Sequence, residues 1–131
     1  MSTVVDFISQ KDNLFHQNGV TEMELHQAEK ELDLHFHRDY QEYLLFYGVA
    51  SFGSHELTGI CPFPRLNVVN VTKEERLLNP SVPQNYYVIE QANIDGIVIW
   101  QNSVGEVFQT VPNTSPVKIA NSMSGYIESI S

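Results

Sequence analysis

An α+β fold is what the sequence predicts: a mostly antiparallel sheet of about five to six strands flanked by helices, in a single domain spanning residues 1–131. Three observations carry this reading. Apolar residues recur at helical spacing in the first third of the chain and again at its end. The stretch between them breaks into short apolar runs separated by turn residues. No Gly-, Ser- or Pro-rich tract is long enough to divide two domains, and there is no internal repeat. Hydrophobic residues make up 42% of the chain and charged residues only 18%. A chain of this size buries roughly two thirds of the surface it exposes when unfolded, so a core forms without a disulfide or metal staple.

Val4, Phe7 and Ile8, continuing past Lys11 to Leu14 and Phe15, predict a short N-terminal helix that Asn18-Gly19 breaks. Thr21-Glu22-Met23-Glu24 has the capping-box form, in which the Thr hydroxyl and the Glu carboxylate satisfy backbone N–H groups of the first turn. A helix starts there, with Leu25, Ala28 and Leu32 as its buried stripe and Glu22, His26, Glu29 and Asp33 on an adjoining exposed face. A second helix starts at Arg38 or Asp39 and ends at Tyr47, where Gly48 closes it. Beyond Gly48, residues 57–61, 66–71, 86–90, 96–101 and 106–111 read as strands, and Asn102-Ser103-Val104-Gly105 is short enough for a hairpin. Residues 72–78 read as a brief helical insertion stopped by Asn79-Pro80. Asn121 or Ser122 caps a closing helix carrying Met123, Tyr126, Ile127 and Ile130. The helices then cover one face of the sheet.

Charge narrows the function. Seven Lys plus Arg against sixteen Asp plus Glu leave a net charge of −9 at pH 7, which repels phosphate backbones and speeds encounter with a basic partner. Direct nucleic-acid binding is disfavoured. Cys61 is the single cysteine, so no intrachain disulfide exists, and no apolar run approaches the roughly 18 residues of a membrane span. The expected compartment is the cytoplasm, where the sequons at Asn70 and Asn113 go unused.

The residues that could carry chemistry have plainer readings beside them. His35-Phe36-His37 and His26 with Glu22 and Glu29 have the elements of a metal site, but His-Glu-x-x-His and Cys-x-x-Cys are absent, and a solvated helix face is the preferred reading. Cys61 lies in Ile60-Cys61-Pro62-Phe63-Pro64, the setting of a small apolar residue and not of an activated thiolate. Gly48 and Gly53 imitate a phosphate loop, yet Ser54 stands where that loop needs Lys. Tyr40, Tyr43 and Tyr47 fall at core spacing, with a secondary role at an interface. No catalytic, cofactor-binding or metal-binding residue is expected. The acidic stretch from Glu22 to Asp39 contains six carboxylates against Lys30 and Arg38; it is either a solvated face or a partner-facing patch. The partner-binding candidates are Glu22, Glu29, Asp33, Asp39 and Glu42.

Gly19-Val20-Thr21-Glu22-Met23-Glu24-Leu25 with Ala28-Glu29, Leu32, Leu34, Asp39-Tyr40, Tyr43-Leu44 and Tyr47-Gly48 resembles the opening motif of the SUKH superfamily. Asn93-Ile94-Asp95-Gly96 before residues 97–100, and Ile119-Ala120 with Ser122-Met123 and Tyr126-Ile127, are similar to that family's later landmarks. Two departures stand out: Phe36-His37 replaces a Leu-Pro pair, and Met123 replaces a Phe. The small bacterial YobK-type antitoxins are the subgroup it looks most like. The resemblance implies an intracellular immunity protein that binds a cognate toxin, commonly a nuclease, and has no catalytic residues. Since the fold also serves eukaryotic cell-wall regulation, a regulatory or scaffolding domain without a toxin is the alternative. An enzyme using His35, His37 or His55 with nearby acids is the third reading.

Overall fold

The computed structural model describes residues 3–92 and 94–130. The chain runs α1 (Thr3–Ser9), β1 (Phe15–His16), α2 (Glu22–Leu32), α3 (Arg38–Tyr47), β2 (Ala50–Phe52) and β3 (His55–Glu56). A 3₁₀ turn (Pro64–Leu66) then leads into α4 (Val68–Leu78), followed by β4 (Tyr87–Gln91), β5 (Val98–Gln101), β6 (Val107–Thr110), β7 (Val117–Ala120) and α5 (Met123–Ser129). The α+β class and the antiparallel pairing hold, but the strands divide into a small sheet β1-β2-β3 and a larger one β4-β5-β6-β7.

Local chemistry explains the elements read correctly. Thr21 Oγ1 accepts the Glu24 N–H at 3.1 Å while Glu24 Oε1 accepts the Thr21 N–H at 3.1 Å, a complete capping box. Gly48, at φ 72°, closes α3. Ser122 Oγ accepts the Gly125 N–H at 3.0 Å and starts α5. The hairpin at residues 102–105 joins β5 to β6 as expected.

Other stretches differ from the sequence-based expectation. The first helix stops at Ser9, Asn13 takes a left-handed conformation (φ 58°), and Phe15 and His16 become the edge strand β1 instead of prolonging the helix. Residues 66–71 are not a strand. Asn67 Oδ1 accepts the N–H groups of Val69 (3.0 Å) and Asn70 (3.4 Å), so α4 begins at Val68 and includes the whole supposed insertion. Its buried residues Val68, Val69, Val71 and Thr72 form a helical stripe that outweighs the strand preference of β-branched side chains. Residues 57–61 run extended but make only isolated bridges, Leu57 to Glu90 and Gly59 to Asn67. Gly53, at φ 55°, turns between β2 and β3 where a phosphate loop was weighed.

The larger sheet is covered on both faces, not one. Tyr87, Ile89, Ile99 and Val107 join the main core with Val4, Ile8, Leu25, Leu32, Tyr40, Tyr43, Leu44 and Ile127 from the other helices. On the opposite side Val88, Val98 and Trp100 pack with Val71 of α4. A bulge between Val88 and Glu90 shifts the register of β4. It aims Glu90 at α5, where the carboxylate meets the Tyr126 hydroxyl and, at 2.7 Å, His55 Nδ1. Tyr40, Tyr43 and Tyr47 are all buried, so their reading as core is correct.

Candidate functional site

The acidic candidates fall into two groups once the helices are packed. Glu22 and Asp33 are exposed at opposite ends of α2, and Glu42 on α3 is half-buried. Glu24 and Glu31 add two more exposed carboxylates along α2, against Lys30. Glu22, Glu31, Asp33 and Glu42 make no ion pair among the described residues; Asp33 senses the Arg76 charge at longer range. Other acids are neutralised locally. Arg65 grips both oxygens of Glu56 at 2.8 Å and holds that carboxyl below its usual range. Glu106 is held low by Asn102 and then by Lys118.

The partner-binding candidates Glu29 and Asp39 are buried, which corrects the placing of Glu29 on an exposed face. Glu29 is only 6% exposed: Oε1 sits 2.8 Å from His26 Nδ1, and Oε2 accepts the Phe36 N–H at 2.8 Å. Gln41 Nε2 approaches the same oxygen at 3.4 Å. Helical spacing does place Glu29 in line with Glu22 and Asp33, but residues 34–36 fold back over that turn and bury its carboxylate. Asp39 accepts the Ser124 hydroxyl at 3.0 Å and ties the start of α3 to α5. Replacing Glu29 by Ala is expected to cost about 2 kcal/mol, because the buried Phe36 N–H loses its acceptor. A urea unfolding curve with an unmoved midpoint would contradict this role.

Four of the five histidines, His16, His26, His37 and His55, have a structural task. His16 packs edge-on against Tyr47, with ring centroids 4.9 Å apart. His37 Nδ1 accepts the Asp39 N–H at 3.2 Å and caps α3, in the place where the family pattern has a proline. His26 and His55 pair with buried carboxylates, and His35 is exposed, 3.9 Å from Glu29. Among the described residues no three His, Cys, Asp or Glu side chains converge to hold a metal ion. Cys61 is half-buried, and burial pushes its thiol up, away from the reactive thiolate. Among the same residues, no helix is long and apolar enough to cross a membrane.

Sequence reasoning missed the apolar part of the surface. Phe15 is 73% exposed, Phe46 59% and Phe63 48%. Phe15 had been assigned to a helix face, and Phe46 sits beside the tyrosine stripe without belonging to it. For Phe63 a signal existed: flanked by Pro62 and Pro64, it stands in a rigid turn that cannot join a strand ladder.

Comparison with known proteins agrees with this architecture. A family model, SUKH_5, described as SMI1-KNR4 cell-wall, matches residues 1–130. No curated protein matches the chain. Because that match spans nearly every residue, from the capping box of α2 to the end of α5, the chain belongs to the SMI1-KNR4 family of the SUKH superfamily.

Proposed function

We propose that this protein is an immunity protein that binds and neutralises a cognate toxin domain, its acidic surface occluding a basic active-site groove such as that of a nuclease. The observation that carries the reading is the set of carboxylates without an ion pair among the described residues, exposed at Glu22, Glu31 and Asp33 and half-buried at Glu42, on a chain of net charge −9. Carboxylates presented this way imitate the charge of a phosphate backbone, and complementary charge accelerates docking. Membership of the SUKH superfamily supports the same role.

Co-expression with the toxic domain encoded beside the gene is expected to restore growth; a host that dies regardless would sink the proposal. The triple variant E22K/D33K/E42K is expected to slow association about 10-fold at low salt, with little change in dissociation. Stopped-flow mixing at two ionic strengths checks this, and an unaltered on-rate would remove these residues from the docking path. Glu29 and Asp39 are left out of the variant because they are buried.

The family description, which names the cell wall, favours a second reading as a regulatory or scaffolding domain without a toxin. The neighbouring reading frame separates the two, since immunity genes sit beside their toxins.

A further inference from the structure

The geometry points to an apolar trough beside β1, anchored by Phe15, Phe46 and Phe63, as the surface on which a positively charged protein partner docks. Resting on the immunity reading, this partner is the toxin domain, with the α2 carboxylates guiding its approach and the three phenylalanines holding it.

The three rings are gathered, not scattered. Phe15 and Phe63 line one groove of about 220 Å³ along β1 and β2. That groove shares Gln17 with a second, of about 450 Å³, bordered by residues 17–20, Glu24 and residues 60–62. Phe46 lines neither groove but flanks them: its ring packs 4.8 Å from that of Tyr47, against which His16 of the first groove also packs, and its backbone lies against Gly19 of the second. The turn at residues 18–19 lies directly on α3. A Cβ on Gly19 would stand 1.8 Å from the Leu45 carbonyl oxygen, so only glycine allows this approach. Contiguous exposed aromatics are uncommon on a surface that serves only to meet water, and aromatic anchors dominate binding energy at interfaces. Among the described residues β1 pairs with β2 alone, so Phe15 stands on an edge strand.

Charge selects the occupant. Glu24 borders the trough, with its Oε2 unpaired among the described residues, and Glu22 stands in the same first turn of α2. Two cations elsewhere in the fold are committed: both terminal Arg65 nitrogens hold Glu56, and the Lys11 ammonium is bound to the Ile130 carbonyl. Among the described residues, no Lys or Arg lines either groove. A second copy of the chain would set −9 against −9, and a nucleic acid would meet carboxylates. A protein with a basic rim and a projecting apolar side chain satisfies both features.

The test uses the full chain and the purified toxin domain encoded beside the gene. The double variant F15S/F63S and the single variant F46S are each expected to weaken binding by 100-fold or more, through faster dissociation. L77S, at a leucine 83% exposed on α4, is the control and should bind like the parent. Hydrogen exchange on the unaltered protein provides a second readout, with protection expected at residues 15–20 and 60–63 when the toxin is present. Equal binding by both Phe variants, or protection confined to other segments, overturns the assignment of this face while leaving the immunity reading intact. A parent protein that binds no toxin defeats the immunity reading itself, and with it this occupant. Concentration-dependent dimerisation of the chain alone that F15S/F63S abolishes assigns the trough to a second copy and overturns the proposal.

Discussion

Replacing Tyr43 with phenylalanine is expected to destabilise the protein by about 3 kcal/mol although it removes one oxygen atom, because two buried backbone groups lose their partner together. The Tyr43 hydroxyl donates to the Thr58 carbonyl at 2.6 Å and accepts the Ala50 N–H at 2.9 Å, and its ring is fully buried. It thereby bridges the start of β2 and the extended segment that leads from β3 towards α4. Beside it the Tyr40 hydroxyl lies 2.8 Å from Thr58 Oγ1, and that oxygen donates to the Val88 carbonyl at 2.8 Å. One hydroxyl network therefore stitches α3 to the segment at Thr58 and on to β4. Loss of a satisfied pair costs about 1 kcal/mol, whereas stranding a buried donor or acceptor costs about 1–3 kcal/mol for each group. Urea unfolding measures the difference; a Tyr43→Phe protein within 0.5 kcal/mol of its parent, about the size of an ordinary surface substitution, would show that water or a rearranged loop satisfies both groups.

Raising the pH to about 11 is expected to remove 5 to 6 kcal/mol of stability, enough to unfold a protein of ordinary stability. Burial, the leading cause in each case, raises the hydroxyl pKa of Tyr40, Tyr43, Tyr87 and Tyr126 well above the ordinary value. Facing Glu90 adds to the effect at Tyr126. The sign follows from linkage. A raised folded pKa means that the folded state keeps the proton which the unfolded chain releases near pH 10. The stabilisation is complete below that pH and is lost as the pH climbs towards the folded value. One pH unit above the unfolded pKa, each tyrosine contributes about 1.4 kcal/mol to the loss. Tyrosinate absorbance should therefore rise together with loss of the near-ultraviolet dichroism of Trp100. Gradual titration of these tyrosines before unfolding would contradict their burial.

Much of the architecture was legible along the chain because its causes are local. The Thr21–Glu24 capping box, the Gly48 helix stop, the Ser122 cap and the four-residue hairpin are each contained within a few residues, and all appear where expected. Elements whose causes are distant were misjudged. Val68-Val69-Asn70-Val71 has the composition of a strand, and its helical state depends on Asn67 capping and on burial against two cores. Phe15 continues a helical spacing, yet it becomes β1 because Ser51 is available to pair with it from the far side of two helices. β7, mostly exposed, has little burial pattern to reveal it.

The candidate surface divides in the same way. Net charge, the acidic run on α2, the lack of a recognisable catalytic motif and the family resemblance are properties of composition and short-range order, which no folding step changes. Which carboxylates face water is another matter: Glu22 and Glu29 lie on one helical line, and only the return of residues 34–36 buries the second. The gathering of Phe15, Phe46 and Phe63 likewise exists only after β1 pairs with β2 and residues 18–19 settle on α3. The sequence by itself determined the fold class, the family and the sign of the surface, since these rest on local periodicity and summed charge. The tertiary structure alone decided which acids and which aromatics remain exposed, because burial is set by contacts between residues far apart in the chain.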